Sequence, residues 1–229
     1  MFERRKFMQA SLATVLAGSV PGNLLAAAPS VHGGRTIPST GEVIPCIGLG
    51  SWITFNVVSD PQLLEQCANV MKAFFDGGGR VIDSSPMYGS SQATIGYGLA
   101  RLSRSDTVFA ADKVWTRNED GGALQIANSS KAWRLPNFEL MQVHNLVAWQ
   151  AHLELLFSLT AEGRLKSGGV TTSHGRRHRE LEEIMASQPL DFVQLTYNVL
   201  DRQAETRLLP LARERGIAVI VNRPFQRGR

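Results

Sequence analysis

Short apolar runs recur along the chain about every 30 residues, and stretches with helical periodicity separate them. Each run ends at polar or charged side chains. The six runs, with those endings, are Val81–Asp83, Val108–Lys113, Leu140–His144, Gly169–Thr172, Phe192–Tyr197 and Val219–Arg223. This repeat predicts alternating β-strands and α-helices, with the strands side by side in a parallel sheet.

Three consecutive runs end in residues with catalytic potential, namely Asp83, Lys113 and His144. In a barrel of β/α units, the carboxyl ends of the strands converge on one mouth. We therefore expect these three side chains to meet in space, although about 30 residues separate each from the next.

Helical periodicity and capping residues predict the intervening helices. The clearest begins at Asp60 and Pro61, which suit the N-cap and the first helical position, and ends at Gly77. The other predicted helices cover residues 92–102, 124–133, 149–161, a segment opened by 176–179, and 204–215. Residues 41–52 are predicted to form a short N-terminal hairpin.

The composition favours one globular domain and argues against nucleic-acid binding. The chain has 229 residues, of which 43% are apolar, enough for one large core. Its net charge is +4, but residues 29–229 contain 21 basic and 19 acidic residues, a net charge of only +2. No basic nucleic-acid-binding face is therefore expected. Two cysteines, Cys46 and Cys67, make neither a disulfide framework nor a metal cluster, so no metal is expected.

Residues 1–28 are predicted to be a signal peptide, with a ragged cytosolic N-terminus as the alternative. Arg4-Arg5-Lys6 precedes a mild apolar run that is too short to span a bilayer, and Ala26-Ala27-Ala28 supplies the small residues of a cleavage site. Paired arginines before a weakly hydrophobic stretch resemble a twin-arginine signal. This resemblance predicts periplasmic export by the twin-arginine machinery, with no membrane attachment after cleavage. Residues 29–40 are predicted to be a linker, and 41–229 the barrel domain.

The segment after the first run carries the most informative motif. In Asp83-Ser84-Ser85-Pro86-Met87-Tyr88-Gly89, Tyr88 lies in a predicted turn shortly after Asp83, and Lys113 and His144 end the next two strands. The chain here resembles an aldo-keto reductase, a family that uses an Asp, Tyr, Lys, His tetrad in this order at the mouth of a (β/α)8 TIM barrel. The resemblance covers nearly all of the presumed mature chain and is closest to the bacterial, often exported, single-domain members.

The resemblance implies NADPH-dependent reduction of a small-molecule aldehyde or ketone, with hydride from the nicotinamide and a proton from Tyr88. A phenol has a pKa near 10, and the Lys113 ammonium would lower the pKa of Tyr88. Asp83 would hold Lys113 in place, and His144 would orient the carbonyl. Taken singly, each of the four residues has a structural alternative. Asp83 could cap a turn, and Tyr88 could be a surface aromatic residue. Lys113 could be a solvated strand end, and His144 a buried histidine with its hydrogen bonds satisfied.

Other residues match family positions that contact the nucleotide. They are Gly50, Ser51 and Trp52 near the nicotinamide ribose, Gln194 at the carboxamide, Thr171 and Thr172 in place of the usual Ser-Asn pair, and Arg223. Asn222-Arg223-Pro224 replaces the usual Tyr-Ser-Pro, so the aromatic residue that stacks on the nicotinamide is absent from the sequence. Arg223 could meet the pyrophosphate or be a solvated strand end, and Trp52 could instead cap the core.

Six predicted strands are fewer than the eight that close such a barrel. We therefore expect about six of the eight β/α units, without the C-terminal segment that grips the adenosine and its 2′-phosphate in the family. One alternative is a truncated, catalytically inactive chain or a binding module that needs a partner to complete its barrel. Another is a phosphate- or acid-binding barrel that uses Arg223 and the basic run at 176–179.

Overall fold

The computed structural model describes residues 33–226 as strands that alternate with helices. The strands are β1 (Gly34–Thr36), β2 (Val43–Pro45), β3 (Gly48–Gly50), β4 (Val81–Asp83), β5 (Phe109–Val114), β6 (Leu140–Val143), β7 (Ser167–Thr171), β8 (Phe192–Thr196) and β9 (Ala218–Asn222). Strands β3 to β9 form one parallel sheet of seven strands in chain order. The predicted signal peptide lies outside the described residues and stays a prediction.

One α-helix follows each sheet strand from β3 to β8. The helices are α1 (Pro61–Asp76), α2 (Ser91–Leu102), α3 (Gly122–Trp133), α4 (Trp149–Ala161), α5 (His178–Ser187) and α6 (Leu208–Arg215). The described chain thus contains six strand–helix units and a seventh strand, which confirms the predicted partial (β/α)8 architecture. None of its described helices is long and apolar enough to cross a membrane.

The predicted hairpin over residues 41–52 is wrong. β1 pairs antiparallel with β2, whereas β3 pairs parallel with β4 and is the first strand of the main sheet. The linker interpretation of residues 29–40 is corrected over its described part, because β1 lies there. Sequence periodicity misses β3 because Gly48-Leu49-Gly50 is too short and too glycine-rich to form an apolar run.

Apolar side chains fill one end of the sheet's inner face, the face that carries Val81 and Phe109. Ile37 and Ile44, from the β1–β2 hairpin, pack against these two residues and Phe192. All three sheet residues lie at or near the amino-terminal ends of their strands. A separate apolar cluster packs the helices on the outer face. The inner face is therefore apolar at the amino-terminal ends of the strands and polar at their carboxyl ends, where the predicted site lies.

Asp112 anchors β5 to the helices on the outer face. Its carboxylate accepts hydrogen bonds from Gln92 Nε2 and Trp133 Nε1, each at 2.7 Å, and from the Lys113 amide at 2.8 Å. Burial raises the pKa of Asp112 to about 7, against the Lys113 charge and these donors, which act to lower it. Because side chains alternate across a strand, holding Asp112 outward directs Lys113 inward.

Candidate active site

Asp83 and Lys113 form a buried ion pair at the carboxyl ends of β4 and β5. Lys113 Nζ lies 2.6 Å from Asp83 Oδ1 and donates to the Ser84 carbonyl at 2.7 Å. The Lys113 side chain is fully buried, and that of Asp83 is 16% exposed. Burial acts to lower the pKa of Lys113, but the attraction of Asp83 and the other acidic groups nearby raises it above its usual value. Lys113 is therefore protonated at neutral pH.

Tyr88 is brought to this pair by the turn after β4. Its amide donates to the Ser85 carbonyl at 2.9 Å, which closes the turn. The Tyr88 ring centroid lies 5.7 Å from Lys113 Nζ and 5.6 Å from the centroid of the His144 ring, which it meets edge to face. The structure thus places the four predicted tetrad residues together, as the strand ends predict for Asp83, Lys113 and His144 and as the family resemblance implies for Tyr88.

Burial raises the pKa of Tyr88 above its usual value near 10. The Lys113 charge acts to lower it, whereas the Asp83 and Asp112 carboxylates add to the rise. The prediction that the Lys113 charge acts to lower the pKa of Tyr88 is right, but the predicted net lowering is wrong. Exclusion of water from the Tyr88 hydroxyl has a larger effect on this pKa than the charge of Lys113, which is already paired with Asp83. Tyr88 consequently keeps its proton at neutral pH, which is the state of a proton donor.

His144 follows β6 and is 5% exposed. Its Nδ1 atom lies 2.7 Å from Ser85 Oγ. Burial, and secondarily the charge of Lys113, lowers the pKa of His144 to about 3. The imidazole is therefore neutral at physiological pH, with a hydrogen on one ring nitrogen only.

The neutral His144 is expected to make the fold sensitive to acid. The imidazole binds a proton near pH 6.5 in the unfolded chain but near pH 3 in the folded chain, so stability present above pH 6.5 is lost as the pH falls. At pH 4 this loss is about 3 kcal/mol. His144→Asn keeps a hydrogen-bond acceptor but cannot titrate, and should lack this part of the loss in urea unfolding across a pH series. Parallel stability curves for the two proteins would contradict a neutral His144.

Residues predicted to lie near the nicotinamide ribose are next to the tetrad. Gly50 pairs with Asp83 across β3 and β4, and the buried Ser51 hydroxyl lies 3.0 Å from the Asp83 carbonyl. Trp52 is 40% exposed, and its ring centroid lies 6.4 Å from that of Tyr88. Trp52 is therefore an exposed neighbour of Tyr88 and does not cap the core.

The remaining predicted nucleotide residues form a second polar group. The Thr172 amide donates to the Gln194 carbonyl at 2.8 Å, and the Thr172 carbonyl accepts from Asn222 Nδ2 at 2.8 Å. Arg223 follows β9 with a φ of 56°. Thr171 ends β7, Thr172 and Arg223 follow β7 and β9, and Gln194 pairs with Thr171 in the register of β7 and β8. These residues therefore lie toward the same edge of the sheet as the tetrad.

Three buried polar atoms at this edge have no hydrogen-bond partner within residues 33–226. They are Gln142 Oε1, Thr172 Oγ1 and Arg223 Nε. Buried polar atoms in proteins almost always bond to protein, water or a ligand. The Thr172 hydroxyl and the Arg223 Nε–H can donate to phosphate oxygens, and Gln142 Oε1 can accept from an N–H or O–H group of a polar ligand. The residues present therefore fit a nucleotide in their chemistry.

Gln142 and Ser85 were not predicted from the sequence. Gln142 lies opposite Lys113 in the register of β5 and β6, and it precedes His144 by two positions. Strand alternation could have identified it, because residues two apart lie on the same face. The contact between Ser85 and His144 has no comparable signal, since the two residues come from separate turns.

The basic run at 176–179 has partners within the protein. Arg177 pairs with Glu180 at 2.5 Å and donates to the Asn145 carbonyl at 2.6 Å. Arg179 is solvent-exposed and pairs along the same helix. The contacts of Arg177 lie at the start of α5 and connect this helix to the loop after β6. They favour the interpretation of the basic run as a solvated face over its interpretation as a phosphate-binding site.

Proteins of known sequence are similar to this chain. Aldo-keto reductase YhdN of Bacillus subtilis is 25% identical over 208 residues, covering 84% of this chain and 62% of that protein. The NADH-specific methylglyoxal reductase of Escherichia coli is 26% identical over 221 residues, covering 80% of this chain and 64% of that protein. The chain thus spans less than two thirds of the length of these two relatives.

Solved structures share the fold. Aldo-keto reductase AKR11C1 from Bacillus halodurans, in its holo form, superposes with a TM-score of 0.73 at 19% identity, covering 85% of this chain and 67% of that one. An aldo/keto reductase from Klebsiella pneumoniae in complex with NADP and acetate gives a TM-score of 0.69 at 22% identity, covering 82% and 67%. The family model for aldo/keto reductases matches residues 46–229. The chain therefore belongs to the aldo/keto reductase family.

Proposed function

We propose that this protein reduces an aldehyde or ketone to an alcohol with NADPH, and that Tyr88 donates the proton. The observation that carries this proposal is the convergence of Asp83, Tyr88, Lys113 and His144 at one edge of the sheet. The ion pair holds an ammonium 5.7 Å from the centre of a protonated phenol ring. This arrangement suits proton transfer to a carbonyl oxygen as negative charge develops there.

Lys113 favours release of the proton from Tyr88. Its ammonium has three donors, of which Asp83 and the Ser84 carbonyl accept two. The remaining donor and the positive charge stabilise the phenolate that forms as the proton leaves. Asp83 keeps Lys113 charged and fixed, so the stabilisation is already present before the proton moves.

His144 would orient the carbonyl through its second ring nitrogen. Because the imidazole is neutral, it offers one N–H donor and does not compete with Tyr88 as an acid. Tyr88 and His144 are in direct ring contact, and a carbonyl oxygen bound between the two side chains would contact both groups. A hydrogen bond from His144 would fix the carbonyl face and polarise the bond.

The nicotinamide, when bound, supplies the hydride. Gly50, Ser51, Trp52, Thr171, Thr172, Gln194 and Arg223 are the residues proposed to hold the nucleotide. The unpartnered Thr172 Oγ1 and Arg223 Nε atoms support this assignment. The relatives support a nicotinamide nucleotide, since one is named an NADH-specific reductase and another was crystallised with NADP.

Nucleotide binding is tested by thermal unfolding of the purified chain with NADPH, with NADH and without nucleotide. A ligand that binds only the native state raises stability by about 2.7 kcal/mol at 100 times its Kd. We expect a higher unfolding temperature with NADPH, and a smaller rise for Thr172→Val. An unfolding temperature indifferent to both nucleotides would contradict the proposal. Stabilisation without turnover of any carbonyl would favour a binding module.

A further inference from the structure

Ser85 contacts the tetrad through a hydrogen bond with His144. Ser85 Oγ lies 2.7 Å from His144 Nδ1, and the Ser85 side chain is fully buried. At this distance the pair shares one strong hydrogen bond, and either atom could in principle be the donor. The direction of the bond decides which nitrogen of His144 carries the hydrogen.

The other contact of Ser85 indicates that direction. The Met87 amide donates to Ser85 Oγ at 3.2 Å and occupies one lone pair of the hydroxyl. The hydroxyl hydrogen then needs an acceptor, and His144 Nδ1 is the one that the described residues offer. If Nδ1 carried the hydrogen, Ser85 would accept two N–H groups while its own hydrogen was buried without a partner, which is destabilising.

The backbone around Ser85 is held from both sides. The Ser84 amide donates to the Ala111 carbonyl at 3.0 Å, and the Ser84 carbonyl accepts from Lys113 Nζ. On the other side, the Ser85 carbonyl accepts from the Tyr88 amide. The hydroxyl therefore sits at a fixed point, and the same turn positions both Tyr88 and His144.

We propose that Ser85 is a positioning residue: its hydroxyl donates to His144 Nδ1 and so leaves the hydrogen on Nε2, where it can be donated to a carbonyl oxygen. The tautomer follows from the contacts of Ser85 alone. Its consequence for catalysis rests on the proposed carbonyl reduction. In the other tautomer, Nε2 would be an acceptor and would repel the carbonyl oxygen it should bind.

The tautomer is tested by nitrogen NMR of isotope-labelled histidine in the full-length protein, with the His144 signals assigned through the His144→Asn variant. We expect Nε2 to have the chemical shift of a protonated ring nitrogen and Nδ1 that of an unprotonated one. Hydrogen on Nδ1 would overturn the proposal. The tautomer itself is measured in the wild-type protein, and the His144→Asn variant serves only to assign the signals.

Matched variants isolate the hydroxyl. Ser85→Thr keeps it and Ser85→Val removes it with the same shape, while Ser85→Ala removes it without adding bulk. We expect the Thr variant to keep the Nε2–H tautomer, and the Val and Ala variants to show a mixture. With turnover as readout, kcat should fall about 5- to 10-fold in Ser85→Ala, while nucleotide-induced stabilisation is unchanged.

Two outcomes separate the proposals. A tautomer ratio that is the same in Ser85→Thr and Ser85→Val would overturn the positioning role, whatever the activity. If instead the tautomer depends on the hydroxyl and none of the proteins reduces a carbonyl, the role of Ser85 in holding His144 is supported and the proposed function fails.

Discussion

Lys113→Met is expected to abolish carbonyl reduction and to lower the free energy of unfolding by about 3–5 kcal/mol. The substitution keeps a long apolar stem but removes the ammonium from Asp83, whose side chain is only 16% exposed. It also leaves the Ser84 carbonyl without its donor. Turnover is lost because nothing then stabilises the Tyr88 phenolate. Urea unfolding and an assay of NADPH oxidation measure the two effects separately.

The matched control for this prediction is the Asp83→Asn, Lys113→Met double variant. It removes both charges, so no carboxylate is left buried without a partner. We expect it to regain part of the lost stability without regaining activity, and a double-mutant cycle gives the coupling between the two residues. Unchanged unfolding of Lys113→Met would show that the ion pair does not stabilise the fold. Retained turnover would remove Lys113 from the mechanism.

Tyr88→Phe is expected to lower kcat by about 10²- to 10⁴-fold, the usual contribution of a general acid. Only the hydroxyl is lost, and the ring contacts with Trp52 and His144 can be kept. Nucleotide-induced stabilisation should therefore be unchanged. Steady-state kinetics with an aldehyde, together with thermal unfolding in NADPH, measure both quantities.

Tyr97→Phe is the matched control. The Tyr97 hydroxyl bonds to Glu65 on the helical side of the protein, away from the tetrad. This variant should keep normal turnover. Equal loss of turnover and of nucleotide binding in Tyr88→Phe would mean that the tyrosine supports the structure of the site and is not the proton donor.

The residues at the strand ends explain why three of the four tetrad residues could be placed together from the sequence pattern, whereas Tyr88 came from the family resemblance. Asp83, Lys113 and His144 each end a buried apolar run, and parallel strands in chain order must bring those ends to one edge. The same reasoning missed β3, because Gly48-Leu49-Gly50 has too few apolar side chains to show periodicity. Its place in the sheet comes from pairing with β4, which only tertiary structure reveals.

The electrostatics of the site could not be predicted in the same way. The sign of the Tyr88 pKa shift depends on a balance between burial and the Lys113 charge, and the depth of burial is not written in a local sequence pattern. The Ser85–His144 hydrogen bond likewise depends on how two separate turns approach each other. Residue identities predicted which groups meet, whereas their protonation followed from packing.

The most direct test of carbonyl reduction by this protein is label transfer from NADPH that is deuterated at the reactive nicotinamide carbon. The full-length chain is incubated with this nucleotide and an aldehyde, and the alcohol is analysed by mass spectrometry. We predict that the alcohol contains one deuterium per nucleotide oxidised, and that Tyr88→Phe forms this labelled alcohol about 10²- to 10⁴-fold more slowly. Absence of labelled alcohol from a wild-type protein that binds the nucleotide would contradict the proposed function.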